Sequence, residues 1–449
     1  MMALLVKIER KEIGIVFILL ALLSLIGGVF FGSLSALQFI IPGFMNDFPF
    51  FKSRPLHVSL VVSWIFLSAI GGIYYYLPRY CKLPLFSNKL PRFHFWIFLF
   101  TGIVILGCYI IGKFGGRKYW EFPPILAVPI VISWILFGFN YFKTVARKVG
   151  EWPVYLWMWG TGILFFLFTF CESYLWIFPY FRDNIVRDIT VQWKAYGALV
   201  GSWNMLVYGT VIFLMERIKG DESIARSRLS FLMYFLGLTN LLFGWAHHIY
   251  VVPTNPFIRN FAYFISMTEL IILGRIIWNW KSSLTAAKKD FYLIPYKFIV
   301  ASDFWILANL ILALTISVPA INIFTHGTHI TVAHAMGSTI GINTMILLAS
   351  SVFLIADISK HEYSLTEKKI ITGGFWVLNI FLTIFFLALL FAGAEKGMLI
   401  VEDKLNFQEI MQHISPYLTL FTLAGLGIFV GILLIAIPSI KTINKYLLQ

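Results

Sequence analysis

Twelve long apolar segments recur along this chain, and they constrain its fold more than any other feature of the sequence. Each is long enough to cross a bilayer as a helix, which takes about 20 predominantly apolar residues. Hydrocarbon offers the backbone no hydrogen-bonding partner, so a crossing segment must satisfy its own backbone groups. We therefore predict an all-α polytopic membrane protein, a single domain over residues 1–449 with no soluble domain. The predicted spans are residues 12–34, 55–78, 93–112, 123–142, 153–179, 190–215, 229–252, 258–280, 299–321, 326–356, 370–394 and 414–439.

The distribution of charge orients these spans in the bilayer. Hydrophobic residues make up 59% of the chain and charged residues only 12%, which excludes a soluble multi-domain protein. Most lysines and arginines fall in loops that share one side with both termini, so the positive-inside rule places both termini in the cytoplasm. The net charge of +14 does not indicate nucleic-acid binding, because the bases form no contiguous face.

Six of the nine histidines fall in one layer near the outer face of the predicted bundle. An imidazole in hydrocarbon is costly unless it is paired or bound to a metal, so this layer predicts a heme or metal level. The other three, His94, His361 and His413, are expected to be surface or interface histidines. The six are His57 in the second span, His247 and His248 in the seventh, and His326, His329 and His334 in the tenth.

The stretch HGTHITVAHAM carries three of these histidines and ends in a methionine. At about 100° per residue, His334 and Met336 point from nearly opposite sides of one helix, which could therefore hold two separate hemes. The alternative is that His334 makes a buried hydrogen bond and that Met336 packs in the core. The adjacent pair His247 and His248 favours metal binding, because neighbouring imidazoles can converge on one ion if the helix end is adjusted.

Five stretches of the chain form an ordered set of motifs. They are LHVSLVVSWIFLSAIGGIYYYLP, GGRKYWEFPP, GWAHHIYVVPTNP, FISMTEL and THGTHITVAHAM. This set resembles the heme-copper oxidase superfamily, and most closely the large subunit of bacterial nitric oxide reductases. The resemblance covers nearly the whole chain. It implies the twelve-helix bundle of a heme-copper oxidase subunit I.

The resemblance implies a role for each histidine of the layer. His57 is expected to be an axial ligand of a low-spin heme b, and His334 the proximal ligand of a high-spin heme. His247 and His248 are expected to bind a non-heme metal, with iron favoured over copper. In the family a histidine completes the low-spin site, and here that position is Met336, a competent heme ligand that raises the reduction potential relative to two histidines.

Two further histidines and two acids have supporting roles by the same resemblance, and a third acid, Glu172, is considered from its place within a predicted span. His326 and His329 match family histidines near the heme propionates. Glu269 matches an intramembrane acid, for which proton relay is the default interpretation. Glu172 could relay protons or pair at an interface, and Glu121 matches another family acid. Lys118 stands where some reductases have a calcium-supporting acid, so we expect no calcium.

The sixth span departs from the family pattern. Relatives supply a third metal-binding histidine there, and the reductases a glutamate one turn later. One alignment places Gly197 and Gly201 at these positions, and a second places Tyr196 and Asn204 at a ligand and a glutamate position. Asn204 could be a metal ligand, part of a proton path or simply packed. The metal itself could also be absent, because two histidines alone hold a transition metal weakly.

Oxygen-reducing relatives carry a tyrosine joined to a metal-ligand histidine. The resemblance places it at Gly201 or Leu241 here, and neither is phenolic. We therefore expect an oxidoreductase of respiratory denitrification that reduces nitric oxide, 2 NO + 2 e⁻ + 2 H⁺ giving N2O + H2O. A nitric oxide dismutase or a divergent terminal oxidase are alternatives with the same fold. A membrane transporter is a further alternative, but broken helices and inverted repeats are not evident.

Electrons must reach the predicted hemes from another protein. The sequence has no CxxCH motif for covalent heme and no cysteine-rich copper pair. A small electron-donating subunit of the cytochrome c or copper type, docked outside near His57, is the expected partner, and a quinol is the alternative. The resemblance implies a multi-pass protein of the bacterial inner membrane with both termini cytoplasmic.

Overall fold

The computed structural model describes residues 12–41, 43–250, 252–266, 268–359, 363–403 and 405–448. The described chain contains twelve helices long and apolar enough to cross a membrane, which confirms the predicted number of spans. His361 lies outside the described residues. The helices are α1 Ile13–Ile40, α2 Phe50–Arg79, α3 Leu90–Ile110, α4 Pro124–Val145, α5 Val154–Ile177, α6 Ile185–Lys219, α7 Arg228–Ile249, α8 Pro256–Ser283, α9 Leu293–Ser317, α10 His329–Ile358, α11 Leu365–Val401 and α12 Ser415–Leu448.

Local sequence explains where the longest buried helix begins and ends. The Asn184 side chain accepts a hydrogen bond from the Arg187 backbone N–H at the start of α6, which satisfies one of the free donors of the first turn. Gly220 ends α6 in the left-handed conformation, with φ +82°, which glycine adopts without a steric penalty. Between these ends, most of the α6 surface is buried.

The chain divides into two compact units that alternate along the sequence. Unit 1 comprises the described residues up to Val149, Leu347–Ala388 and those from Ser415 onward. Unit 2 comprises Gly150–Ile346 and Leu389–Ile414. The prediction of one domain over residues 1–449 stays a prediction.

Close backbone approach holds unit 1 together. In this unit α1 packs against α2 and α12, α2 also packs against α3, and α3 against α4. Gly14 of α1 faces Gly71 of α2 so closely that a Cβ on Gly14 would lie 2.6 Å from the Gly71 carbonyl oxygen. The part of α10 from Leu347 onward joins α2 through polar pairs, including Tyr76 Oη to Ser350 Oγ at 2.7 Å.

Unit 2 contains consecutive helices that pack in chain order. Helix α5 packs against α6, α6 against α7, α7 against α8 and α8 against α9. The outer part of α10 packs against α9, where a Cβ on Gly341 would lie 2.5 Å from the Trp305 ring. All the candidate ligands except His57 belong to this unit.

Helix α10 is not a uniform α-helix. It is α-helical over His329–Met336, becomes a π-helix over Gly337–Thr344, and returns to α-helix at Met345. The prediction that His326 belongs to this helix is wrong. His326 follows a short helix, Pro319–Thr325, in an extended conformation. Gly327 is left-handed with φ +75°, and the Thr328 side chain caps the helix that follows, so the two stretches cannot be continuous.

Candidate heme and metal site

Adjacent histidines lie at the end of α7, where the helix tightens. Residues Gly244–Ile249 form a 3-10 helix, in which neighbouring side chains diverge by about 120°. The ring centroids of His247 and His248 nevertheless lie 4.0 Å apart, with a 47° angle between the ring planes. Both rings are half-buried, and Ala246 and Ile249 beside them are buried. The adjusted helix end thus brings the two imidazoles together.

Two further side chains hold the position of His248. Trp193 of α6 stacks on the His248 ring, with centroids 4.7 Å apart and planes within 12°. The imidazole of His326 hydrogen-bonds the backbone of His248. Burial lowers the pKa of His326 below its ordinary value, and this hydrogen bond opposes the shift. His326 therefore buttresses the histidine pair from outside the spanning helices.

His334 lies in the first, α-helical part of α10, in the same unit as the pair. His247 is within electrostatic range of both His334 and His326. The His334 ring is half-buried, and its Nδ1 is buried with no hydrogen-bond partner among the described residues. A purely structural histidine would satisfy its buried nitrogens with hydrogen bonds. The alternative of a buried hydrogen bond at His334 therefore has no support at Nδ1.

The face of α6 that carries Gly197 and Gly201 packs directly against α7, with no space between the helices for a side chain. A Cβ on Gly197 would lie 2.4 Å from the Trp245 Cβ, and a Cβ on Gly201 would lie 2.8 Å from the Leu241 Cβ. Trp245 and Leu241 are both buried. At Gly197, where one of the two alignments places the family's third histidine, a side chain would collide with the neighbouring helix. In the part of the chain that the structure describes, no three His, Cys, Asp or Glu side chains could hold one metal ion.

The other predicted polar residues of unit 2 lie in buried pairs. Asn204 Oδ1 accepts a hydrogen bond from Asn343 Nδ2 at 3.1 Å. Its role as a metal ligand stays a prediction. Glu269, 2% exposed, accepts a hydrogen bond from Asn240 Nδ2 at 2.9 Å through Oε1. Its Oε2 is buried with no hydrogen-bond partner in the described chain, and Tyr208 lies within electrostatic range.

His57 is positioned by α1 within unit 1. Its Nδ1 lies 2.7 Å from the Gly28 carbonyl oxygen, which can only accept, so Nδ1 carries the proton. This hydrogen bond fixes the ring and leaves the Nε2 lone pair available, as metal-binding histidines require. Gly32 lies directly beside the ring, where a Cβ would be 2.6 Å from Nδ1. The helix therefore has a glycine where the imidazole needs the space.

Met336 and His329 lie at the two ends of the α-helical first part of α10. Met336 is half-buried and is the last residue of the α-helical part of α10 before the π-helix. His329 is half-buried, with Nδ1 buried and unpartnered among the described residues. It begins α10 beside α11, where a Cβ on Gly393 would lie 2.9 Å from the His329 carbonyl carbon. The roles of both residues stay predictions.

Each unit also carries an ion pair that involves a predicted acid. In unit 1, Arg54 pairs with Glu121 at 2.7 Å, about one turn before His57 on α2. In unit 2, Lys194 pairs with Glu172. The pairing of Glu172 agrees with the interface alternative and gives no evidence for proton relay.

Comparison with known proteins places this geometry in a family. The model of the family "Cytochrome C and Quinol oxidase polypeptide I" matches residues 12–427. The chain belongs to this family. A nitric oxide reductase subunit of Stutzerimonas stutzeri is 21% identical over 95% of this chain and 94% of its own length. A cytochrome c oxidase subunit 1 homolog of Agrobacterium tumefaciens is 22% identical over 93% of this chain and 80% of its own length.

The fold agrees with the sequence comparison. A solved heme-copper terminal oxidase dimer superposes with a TM-score of 0.77 and 13% identity, covering 96% of this chain and 83% of that chain. The predicted fold class and the resemblance to the heme-copper oxidase superfamily are therefore confirmed. The chain is a multi-pass membrane protein and an oxidoreductase of this family, whose members generally bind hemes and a metal.

The residues present fit these groups unequally. His57, with Nδ1 hydrogen-bonded, and His334, half-buried with an unpartnered Nδ1, suit heme iron. His247 and His248, with ring centroids 4.0 Å apart, suit two positions around a metal. A three-histidine metal site does not fit, because Trp245 closes the space at Gly197.

Several functional contacts were missed by the sequence reasoning. The stack of Trp193 on His248 joins residues 55 positions apart. The one signal in the sequence is that Trp193 lies one turn before Gly197, on the same side of α6. Gly28 and Gly32 lie one turn apart on α1, and this small-residue spacing in the sequence is the signal for the contact with His57. The partner of Glu269, Asn240, had no signal in the sequence.

Replacing Gly32 by alanine should displace the His57 ring. We expect Gly32→Ala to lose the low-spin heme signature in reduced-minus-oxidised spectra while the high-spin heme remains, with an overpacking cost of about 1–3 kcal/mol. The matched control is Gly107→Ala, because a Cβ there meets nothing within 4 Å. A normal low-spin spectrum in Gly32→Ala would show that His57 does not need this position to bind heme.

Restoring a histidine on α6 should not restore a third metal ligand. We expect Gly197→His to bind no additional iron or copper by elemental analysis. Gly197→Ala should already lose about 1–3 kcal/mol of stability, because its Cβ meets Trp245. Gly102→Ala on α3 is the control, since its Cβ enters open space. One extra equivalent of metal in Gly197→His, with an unchanged melting temperature, would contradict the closed interface.

Proposed function

We propose that this chain is the catalytic subunit of a membrane nitric oxide reductase, in which 2 NO + 2 e⁻ + 2 H⁺ give N2O + H2O. The observation that carries the proposal is the contact between Gly201 and Leu241. These are the two positions at which the resemblance places the tyrosine of oxygen-reducing relatives. Here they are a glycine and a leucine that pack against each other. Neither position therefore offers a phenol to the four-electron cleavage of O2. A two-electron reaction on nitric oxide needs none.

The cofactors in this proposal follow the donors described above. A high-spin heme would be held by His334, and a non-heme metal, iron rather than copper, by His247 and His248. When bound, these groups would supply electrons and Lewis acidity to the reacting oxygens. A low-spin heme b would use His57, and Met336 remains the predicted second ligand. Asn204 remains a less favoured metal ligand because Asn343 already uses its oxygen.

The chain's own residues would orient the site and handle protons. Trp193 and His326 hold His248 in one orientation, and preorganised ligands lose little free energy when the reaction begins. Glu269 holds its Oε1 against Asn240 and keeps Oε2 unpartnered, so Oε2 is the atom that would carry a proton.

The proposed surroundings follow from the same assignment. Family members usually pair with small electron-donor subunits and sit in the bilayer. We propose a small subunit of the cytochrome c or copper type as the donor, on the side of the membrane that carries His57. The chain would lie in a bacterial inner membrane with both termini in the cytoplasm, as the distribution of lysine and arginine supports.

Anaerobic turnover tests the reaction directly. Purified protein with reductant and nitric oxide should release one N2O for each two NO consumed, measured by gas chromatography. His334→Ala should abolish both the high-spin heme band and N2O release, while His413→Ala, at an exposed position, should leave both unchanged. Formation of N2 together with O2 would instead establish dismutation, and the absence of b-type heme from the wild-type protein would overturn the proposal.

Changing Met336 tests the unusual low-spin ligand. Met336→His should keep the low-spin heme and lower its reduction potential, because thioether ligation raises the potential relative to two histidines. Met336→Leu should remove the low-spin band, and Met345→Leu, at a buried position on the same helix, should leave it intact. A potentiometric titration measures the shift. An unaltered potential and spectrum in Met336→His would mean that another residue is the ligand.

A further inference from the structure

A buried asparagine on α9 has no hydrogen-bond partner for either polar atom of its side chain. Asn309 is 0% exposed, and both Nδ2 and Oδ1 are buried without a partner among the described residues. An amide that is buried without hydrogen bonds costs free energy, so native proteins rarely contain one without a reason. Asn309 belongs to unit 2, which also contains His334 and the histidine pair.

Other buried asparagines of unit 2 do form hydrogen bonds through their side chains. Asn204 and Asn343 bond to each other, and Asn322 Nδ2 donates to the Ile316 carbonyl at 2.9 Å. The packing of this unit therefore provides partners for its buried amides. Asn309 differs from them, because neither its donor nor its acceptor is used within the described chain.

The contacts of α9 show the direction in which Asn309 points. Trp305 faces α10, since a Cβ on Gly341 would lie 2.5 Å from its ring. Ile306 faces α8, since a Cβ on Gly274 would lie 3.5 Å from its Cγ2. At about 100° per residue, Asn309 projects about 40° from the direction of Trp305 and about 60° from that of Ile306. Asn309 therefore points between α8 and α10, into the interior of unit 2.

The level of Asn309 matches the part of α10 that carries His334. Helices α9 and α10 run antiparallel, because a short segment joins them and α9 also packs against the first part of α10. Counted from the contact of Trp305 with Gly341 toward that junction, Asn309 lies about 6 Å along α9. In the same direction, Ser338 lies about 4.5 Å and His334 at most about 10 Å along α10. Ser338 is thus level with Asn309, and His334 lies about one turn beyond.

These three side chains offer complementary hydrogen-bonding groups. When His334 binds iron through Nε2, its Nδ1 carries a proton and is a donor. That Nδ1 is buried without a partner among the described residues. Asn309 Oδ1 is an acceptor, and the hydroxyl of Ser338, which is 6% exposed, can donate or accept. A buried water makes about three hydrogen bonds, and these groups supply that number.

We propose that Asn309 is the positioning residue of His334 and acts through one ordered water that Ser338 also holds. The water accepts a hydrogen bond from the His334 Nδ1–H and donates one to Asn309 Oδ1. The proposal rests on the proposed function, in which His334 binds the high-spin heme. A hydrogen bond at Nδ1 fixes the orientation of the imidazole and raises its basicity as a ligand.

Resonance Raman spectroscopy of the reduced holoprotein tests the proposal, because the iron–histidine stretching frequency reports the hydrogen bond at Nδ1. Asn309→Leu keeps a similar volume without polar atoms and should lower this frequency. A less basic ligand favours reduced iron, so the potential of the high-spin heme should rise. We expect about a tenfold change in the equilibrium constant for reduction, or about 59 mV for one electron. Ser338→Ala should shift both quantities in the same direction by less.

Two further variants separate positioning from packing. Asn309→Asp keeps an acceptor oxygen at the same place and should return the frequency to the wild-type value or above it. Ser302→Ala, at a buried position on the same helix, should change neither quantity, because the Ser302 hydroxyl bonds the Ile299 carbonyl. An unchanged frequency in Asn309→Leu, or an equal decrease in Ser302→Ala, would overturn the proposal. If Asn309→Leu retains no heme, the frequency in Ser338→Ala decides: a decrease supports the proposal and no change overturns it.

The positioning role and the proposed function fail in different ways. The Raman and redox measurements need neither nitric oxide nor turnover. If Asn309→Leu lowers the frequency but the wild-type protein forms no N2O, the reaction assignment is wrong and the role of Asn309 stands. If N2O forms and Asn309→Leu keeps the wild-type frequency, only the role of Asn309 is wrong. An iron–histidine band that persists in His334→Ala would overturn the ligand assignment and this proposal with it.

Discussion

The contact of α6 with α7 is the constraint on which the candidate site depends. Two glycines one turn apart, Gly197 and Gly201, let the backbones approach until Trp245 and Leu241 fill the gap. Small residues are how membrane helices achieve such approach, because packing rather than the hydrophobic effect drives their association. In this chain the same contact has a chemical result. It brings Trp193 onto His248.

The ionic and polar groups of this protein are arranged to avoid unpaired charge in hydrocarbon. Glu172 and Lys194 are paired, as are Arg54 and Glu121, and Asn240 supports Glu269. Against this background, the buried Nδ1 of His334 and the buried Oε2 of Glu269 have no hydrogen-bond partner among the described residues. Exceptions of this kind concentrate where a ligand completes the structure.

The spans and the fold class could be predicted because hydropathy and length alone decide whether a segment crosses a membrane. The finer features depend on contacts between helices, which a single sequence does not contain. Hydropathy does not register the break before α10, because that break depends on the backbone angles of Gly327. The spacing of His334 and Met336 could be interpreted because both lie on a regular helix, whereas the approach of Trp193 to His248 required the packing of α6 on α7.

The π-helix in α10 changes the rotation of His334 and Met336 around the helix axis relative to the residues that follow it. A π segment accommodates an extra residue relative to an α-helix, and such segments recur at functional sites. Its residues Gly337–Thr344 lie between the outer turn that carries His334 and Met336 and the inner turns that begin at Met345. In an unbroken α-helix one residue fewer would turn the outer ligands by about 100° around the helix axis. A single-residue insertion or deletion here would therefore rotate both candidate heme ligands together around the helix axis. The π segment thus sets the direction in which His334 and Met336 point.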